Sequence, residues 1–167
     1  MAGTGPWMNC MSDEPVFFDT NVLVYANDNA YPEKRKCARS LIFEAIRSGT
    51  GCISAQVLAE FWVTVTRKIK IPLDTEIARE QMALFMSFKV QAVDAATVLE
   101  ALRIQDKHRL SYRDAQILAC AGFARATRLY SEDLQDGAEY EGITILNPFR
   151  GKGGNAAPAA SMPSQNH

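Results

Sequence analysis

Apolar positions fall along this chain in short unbroken runs that alternate with longer stretches of helical spacing. Val16-Phe17-Phe18 is a run of the first kind, with the aromatic bulk of a short buried strand. Asp19-Thr20-Asn21 follows, a turn-and-cap sequence that halts a strand and opens a helix. Residues 33–47 carry Ala38, Leu41, Ile42, Ala45 and Ile46 at helical spacing, Ser48-Gly49 supplies a stop, and Lys34, Arg35, Lys36 and Arg39 read as a solvated face, with phosphate contact the alternative. Cys52-Ile53 predicts a second strand, and Ser54 caps a helix over 55–69 that Pro72 ends. Helical spacing returns over 75–88 through Ile77, Met82, Phe85 and Met86, and 90–93 is short enough for a strand. A helix over 95–107 closes on the basic Lys107-His108-Arg109, and a further, uncharged helix runs on from Ala115 towards Arg125. Strands over 129–131 and 143–146 complete the pattern. Repeated crossovers of this kind predict an α/β fold, a single domain with a central mainly parallel β-sheet flanked by α-helices.

The ends of the chain lack such a pattern. Residues 1–14 read as a loose leader and 151–167, rich in Gly, Ala, Pro, Ser and Asn, as a disordered tail, leaving 15–150 as the folded unit. A net charge of -1 gives no global sign of nucleic-acid binding, although local basic patches remain open. Cys10, Cys37, Cys52 and Cys120 are scattered, with no C-x-x-C pair and no His at metal-ligand spacing, so reduced thiols in a cytoplasmic protein are expected. No apolar run approaches the ~20 residues of a membrane span, and no export signal opens the chain; no membrane association is expected.

The informative residues are acids in apolar surroundings. Asp19 is the only charged residue between Glu14 and Asp28, and it sits at the carboxyl end of a predicted strand, where ligands gather in open α/β sheets. Glu60 is the only charged residue between Arg47 and Arg67, on a helix apolar nearly all round. Asp114 lies in the first turn of the uncharged helix, and Glu132, Asp133 and Asp136 follow the strand over 129–131. Each acid also has a structural reading. Asp19 or Asn21 can cap a helix, Ser111 and Asp114 have capping-box spacing, Glu60 can be exposed, and the acidic loop can be a solvated turn. Jointly, carboxylates from distant segments that meet at one sheet edge repel one another and demand cations, and oxygen-only ligands select Mg²⁺ or Mn²⁺.

The segments FFDTNVLVYA, AQVLAEFWVTVT, LSYRDAQILACA and LYSEDL, in this order and spacing, resemble the PIN-domain ribonucleases, especially the VapC-like toxins of toxin-antitoxin pairs. The resemblance spans nearly the whole folded unit. It implies that Asp19, Glu60, Asp114 and Asp133 match the acidic catalytic and metal-holding site, with Thr20, Asn21 and Ser131 as small polar supporters and Glu132 and Asp136 as alternatives for the last acid. It further implies Mg²⁺- or Mn²⁺-assisted hydrolysis of RNA by water, leaving 5′-phosphate ends, a homodimer, and a VapB-like antitoxin that inserts a segment into the acidic groove. Arg67, Lys68 and Lys70 are candidates to hold the RNA backbone, and Arg113 has no role in this reading. A stand-alone RNA-processing nuclease and an RNA-binding module remain alternatives. A haloacid-dehalogenase-like phosphohydrolase would place Asp where Asn21 stands, and a receiver module would need an acid pair ahead of its strand.

Overall fold

The computed structural model describes residues 14–151, so the leader and tail expectations, Glu14 and Gly151 aside, lie outside the described residues. Strand β1 (Val16–Phe18) is buried along its whole length and forms the centre of a six-stranded sheet. After it come α1 (Thr20–Tyr25), α2 (Pro32–Ser48), β2 (Gly51–Ser54), α3 (Ala55–Arg67), α4 (Thr75–Phe85), β3 (Lys89–Gln91), α5 (Ala95–His108), α6 (Tyr112–Phe123), β4 (Arg128–Tyr130), β5 (Glu139–Tyr140) and β6 (Ile143–Leu146). The strand order is β3-β2-β1-β4-β6-β5, parallel except where β5 meets β6. The mainly parallel α/β architecture expected from the sequence is the one observed.

Chain order fixes where a site can form. From β1 the chain steps outward to β2 and β3, then crosses back to lay β4 on the other side of β1, with Phe17 paired to both Cys52 and Leu129. The direction of winding therefore reverses between β1 and β4. The loops that leave these two strands part there and open a crevice. The core beneath is apolar and rich in aromatic rings: Phe17, Phe18, Phe61, Phe85, Leu118 and Leu129 are fully buried, each contributing about 1.5–3 kcal/mol of apolar burial. Among the described residues no helix is long and apolar enough to cross a membrane.

Element ends differ from the sequence expectations in instructive ways. The helices expected to reach 69 and 88 stop at Arg67 and Phe85. The third strand is Lys89–Gln91, not 90–93. Helix α3 is amphipathic, not apolar all round in its packing: Val57, Leu58, Phe61 and Val65 are buried, while Val63 is 41% exposed. Strand β5 carries no sequence signal because it is two residues long, and its turn is atypical. Glu141 and Gly142, joining Tyr140 to its partner Ile143, both have positive φ (53° and 79°), as a two-residue hairpin turn requires. A glutamate rarely adopts that conformation. Here its carboxylate is clamped by Arg103 and Lys107, with His108 Nε2 in hydrogen-bond contact at 2.6 Å.

Candidate functional site

Asp19 leaves β1 at the reversal point and is completely buried. Its N–H donates to Tyr130 O (3.0 Å), prolonging the β1–β4 ladder by one residue and fixing the direction of the side chain. Oδ1 accepts from the Thr20 N–H (2.6 Å) and Oδ2 from Ser131 Oγ (2.8 Å). The cap role and the site position therefore coexist in one residue. Ser131 Oγ in turn accepts from the Asp133 N–H (3.1 Å), and Asn21 spans the crevice, donating to Asp133 Oδ2 (3.2 Å) and accepting from the Glu132 N–H (3.3 Å). Asn21 and Ser131 thus tie the β1 and β4 ends together, while Thr20 holds Asp19 from its own helix.

Glu60 is half-buried on the side of α3 that faces Thr20 and Arg113. Its Oε2 accepts from Thr20 Oγ1 (2.9 Å) and its Oε1 from Gln56 Nε2 (3.0 Å). Asp114 lies in the first turn of α6, where Ser111 Oγ accepts its N–H (3.1 Å) and donates to its Oδ2 (2.7 Å). The expected capping box is therefore only half formed, since the Asp114 carboxylate meets the Ser111 hydroxyl and not the Ser111 N–H. Between the acids stands Arg113, the residue to which sequence reasoning gave no role. Its Nη2 donates to Glu60 Oε2 (2.8 Å) and Asp19 Oδ1 (3.2 Å), Nε to both Glu60 oxygens (3.2 Å each), and Nη1 lies 3.4 Å from Asp114 Oδ1 and from Asp133 Oδ2.

The remaining acids of the loop diverge. Glu132 pairs with Lys34 on the rim of the same crevice. Asp136 lies elsewhere: Oδ1 accepts the Asn147 N–H (2.7 Å) and Oδ2 pairs with Arg150 (2.9 Å), so it staples the C-terminal strand to the loop. Those bonds hold its carboxyl below the usual range. Lys34 departs from the solvated face expected of α2, whereas Arg39 stays exposed on it. The Lys34 ammonium sits 4.3 Å from the centre of the Tyr25 ring, and Arg39 Nε donates to Ala26 O (2.8 Å).

Burial and charge act on the acids in opposite directions. Full burial pushes Asp19 up to about 6, only partly offset by Arg113 and by the Ser131 hydrogen bond. For Glu60, burial also raises the carboxyl, but the hydrogen bonds and charge of Arg113, with Gln56 and Thr20, outweigh it and leave it below the usual range. Burial works against the charge on Arg113, yet Asp19 and Glu60 beside it hold the guanidinium firmly protonated.

The crevice widens into a cavity of about 810 Å³. Glu60, Arg113, Glu132 and Asp133 line its acidic end, Val24, Val63 and Ile69 an apolar wall, and Lys68 and Lys70 its mouth. Arg67 is not part of the lining. Four carboxylates supply only hard oxygen donors, suited to a divalent cation such as Mg²⁺ or Mn²⁺. Among the described residues no three acids close around a single point; the Arg113 guanidinium stands between the four and supplies positive charge to them. The donor set fits such an ion.

Comparison with known proteins agrees with this topology. The PIN domain family profile matches residues 16–135. Among solved structures, a toxin-antitoxin complex from Klebsiella pneumoniae superposes with a TM-score of 0.57 at 19% identity, covering 80% of this chain and 97% of that one. VapC20 of Mycobacterium tuberculosis, described as a sarcin-ricin loop cleaving toxin, superposes with a TM-score of 0.53 at 18% identity, covering 71% and 89%. No curated protein matches. With its reversal point between β1 and β4, its acids at that crevice and a family match over most of its folded length, the chain belongs to the PIN domain family.

Proposed function

We propose that this chain is a divalent-metal-dependent endoribonuclease acting as the toxin of a toxin-antitoxin pair, with Asp19, Glu60, Asp114 and Asp133 as its metal-holding carboxylates. The observation that carries the reading is the convergence of these four acids, from four separate segments, on one guanidinium at the sheet's reversal point. When bound, Mg²⁺ or Mn²⁺ lowers the pKa of a water and stabilises charge on the phosphate oxygens. The residues of the chain provide the frame. Thr20, Ser131 and Asn21 hold Asp19 and Asp133 against one another, Ser111 holds Asp114, and Gln56 and Thr20 hold Glu60. The family resemblance supports water as the attacking group and the 3′-oxygen as the leaving group, which gives 5′-phosphate and 3′-hydroxyl ends.

The cavity suits single-stranded RNA. Tyr25 and Tyr31 offer rings against which a base can stack, and Lys68 and Lys70 offer charge to the backbone. The apolar wall of Val24, Val63 and Ile69 supports a seat for an antitoxin segment, in keeping with the toxin-antitoxin complex that shares the fold. Exposed Val98, Leu99 and Leu102 on α5 support a homodimer, and the free thiols of Cys37, Cys52 and Cys120 suit the reducing cytoplasm. Incubation with single-stranded RNA tests the activity: cleavage with Mg²⁺ or Mn²⁺, none in excess EDTA, and recovery on adding metal back. Undiminished cleavage in EDTA refutes metal dependence.

A further inference from the structure

All four acids touch one side chain. The Arg113 guanidinium lies within 2.8 Å of Glu60, 3.2 Å of Asp19 and 3.4 Å of both Asp114 and Asp133. A planar group with five N–H donors spreads its partners around its edge. A divalent ion of this kind draws oxygens to roughly 2.0–2.6 Å, a much tighter gathering than a guanidinium permits. A guanidinium and a divalent cation cannot share so small a volume, because like charges a few ångströms apart repel strongly.

We propose that Arg113 is a built-in competitor for the divalent cation: it holds the four carboxylates together in the metal-free protein and must withdraw before they can close on an ion. Arg113 thereby sets how tightly the chain takes metal. The inference rests on the metal-dependent reading above. The construction of α6 permits the withdrawal. Ser111 caps the helix without help from the Arg113 side chain, and Ala115, Ile117 and Leu118 anchor it in the core. The Arg113 side chain remains 38% exposed and faces the cavity, so rotation about its own bonds carries the guanidinium into solvent while the backbone stays in place.

Two measurements on the full chain test this. In calorimetric titration with Mn²⁺, Arg113→Gln is expected to bind about 10- to 100-fold more tightly than the wild type, and Arg113→Lys, which keeps the charge but not the fork, to an intermediate degree. Equal or weaker binding by Arg113→Gln overturns the proposal. In the wild type, the NMR signal of the Arg113 Nε–H is expected to move saturably to the position of a solvated arginine as Mg²⁺ is added. An unmoved signal at saturating Mg²⁺ overturns the proposal even if the Gln variant does not fold. If neither wild type nor variants bind Mn²⁺, the metal-dependent reading itself fails, and the competition with it.

Discussion

Glu60→Gln distinguishes a repelling cluster of acids from one already neutralised. From the sequence, carboxylates gathered without a partner gain when one charge is removed, so the melting temperature of the metal-free protein is expected to hold or rise. The structure reverses that sign. Glu60 Oε2 accepts from Arg113 Nη2 (2.8 Å) and Thr20 Oγ1 (2.9 Å), and a Gln carbonyl keeps both bonds. The new amide NH₂ then takes the Oε1 position and faces the amide of Gln56. The Gln56 Oε1 is buried and has no hydrogen-bond partner among the described residues, so a flip of that amide restores the contact. What is lost is the charge in the bonds from Arg113, together with the bond from its Nε to Oε1 (3.2 Å), where the new NH₂ meets a donor. Charged hydrogen bonds exceed neutral ones by about 1 kcal/mol, with part of the gain screened because Glu60 is 30% exposed. The metal-free protein should therefore melt roughly 2–5 °C lower. With a ligand gone, Mg²⁺ should stabilise the variant less than the wild type, and RNA cleavage should fall by about two orders of magnitude or more. Melts with and without Mg²⁺, paired with an RNA cleavage time course on the same preparation, measure all three. A raised melting temperature without metal refutes the neutralisation by Arg113, and retained cleavage removes Glu60 from the site.

Asp19 gives a pH signature: because burial raises it from 3.8 to about 6, the folded chain holds this proton more tightly than the unfolded one. Its contribution to stability therefore falls as pH rises from about 4 to about 6, by up to ~3 kcal/mol, then levels off. Urea unfolding of the metal-free protein across that window should show a flatter profile for Asp19→Asn, and identical slopes would refute the assignment. Lys34→Met, which removes the ion pair to Glu132 and the contact with Tyr25, should cost about 1–2 kcal/mol in the same assay; no loss would mean the buried ammonium contributes nothing net. Gly51→Ala places a methyl 2.6 Å from the Phe88 ring, which stacks on Phe18, and should cost about 1–3 kcal/mol with a changed near-ultraviolet circular dichroism; an unchanged spectrum and stability would show that the ring yields freely.

The centre of the sheet was legible because β1 and β2 are short buried strands closed by the polar caps Asp19 and Ser54, and such runs have few alternative packings. Asp19 and Glu60 stood out as lone charges in apolar stretches, and both reach the crevice. Asp133 could not be separated from Glu132 and Asp136 by spacing, because the turn after β4 sends consecutive side chains to different partners: Asn21, Lys34 and Arg150. Arg113 was noticed and left without a role, since nothing in the order of residues says that a side chain beside Asp114 reaches across to Glu60 and Asp19. Lys34 was read as solvated because helical periodicity sees neighbours on its own helix, not the Tyr25, Tyr31 and Phe149 rings around it. Strand β5 depends on a Glu-Gly turn that is held by ion pairs from α5, a tertiary cause for a local conformation.

The central strand has a consequence for when this chain becomes active during its own synthesis. Strand β1 is among the first segments of the folded unit to be made, yet the hydroxyl that fixes its terminal acid belongs to Ser131, 112 residues later. Until β4 has been translated and docked, Asp19 lacks Ser131, Asp133 has not arrived, and one edge of β1 lies unpaired. Loop closure over such a span is slow compared with local helix formation. A truncated chain ending before β4 can therefore form the β1–β2 pair and the Glu60 helix and still have no assembled site. For a protein whose activity would be directed at RNA, the long-range pairing acts as a timer, delaying the assembled site until β4 and the loop after it have been made.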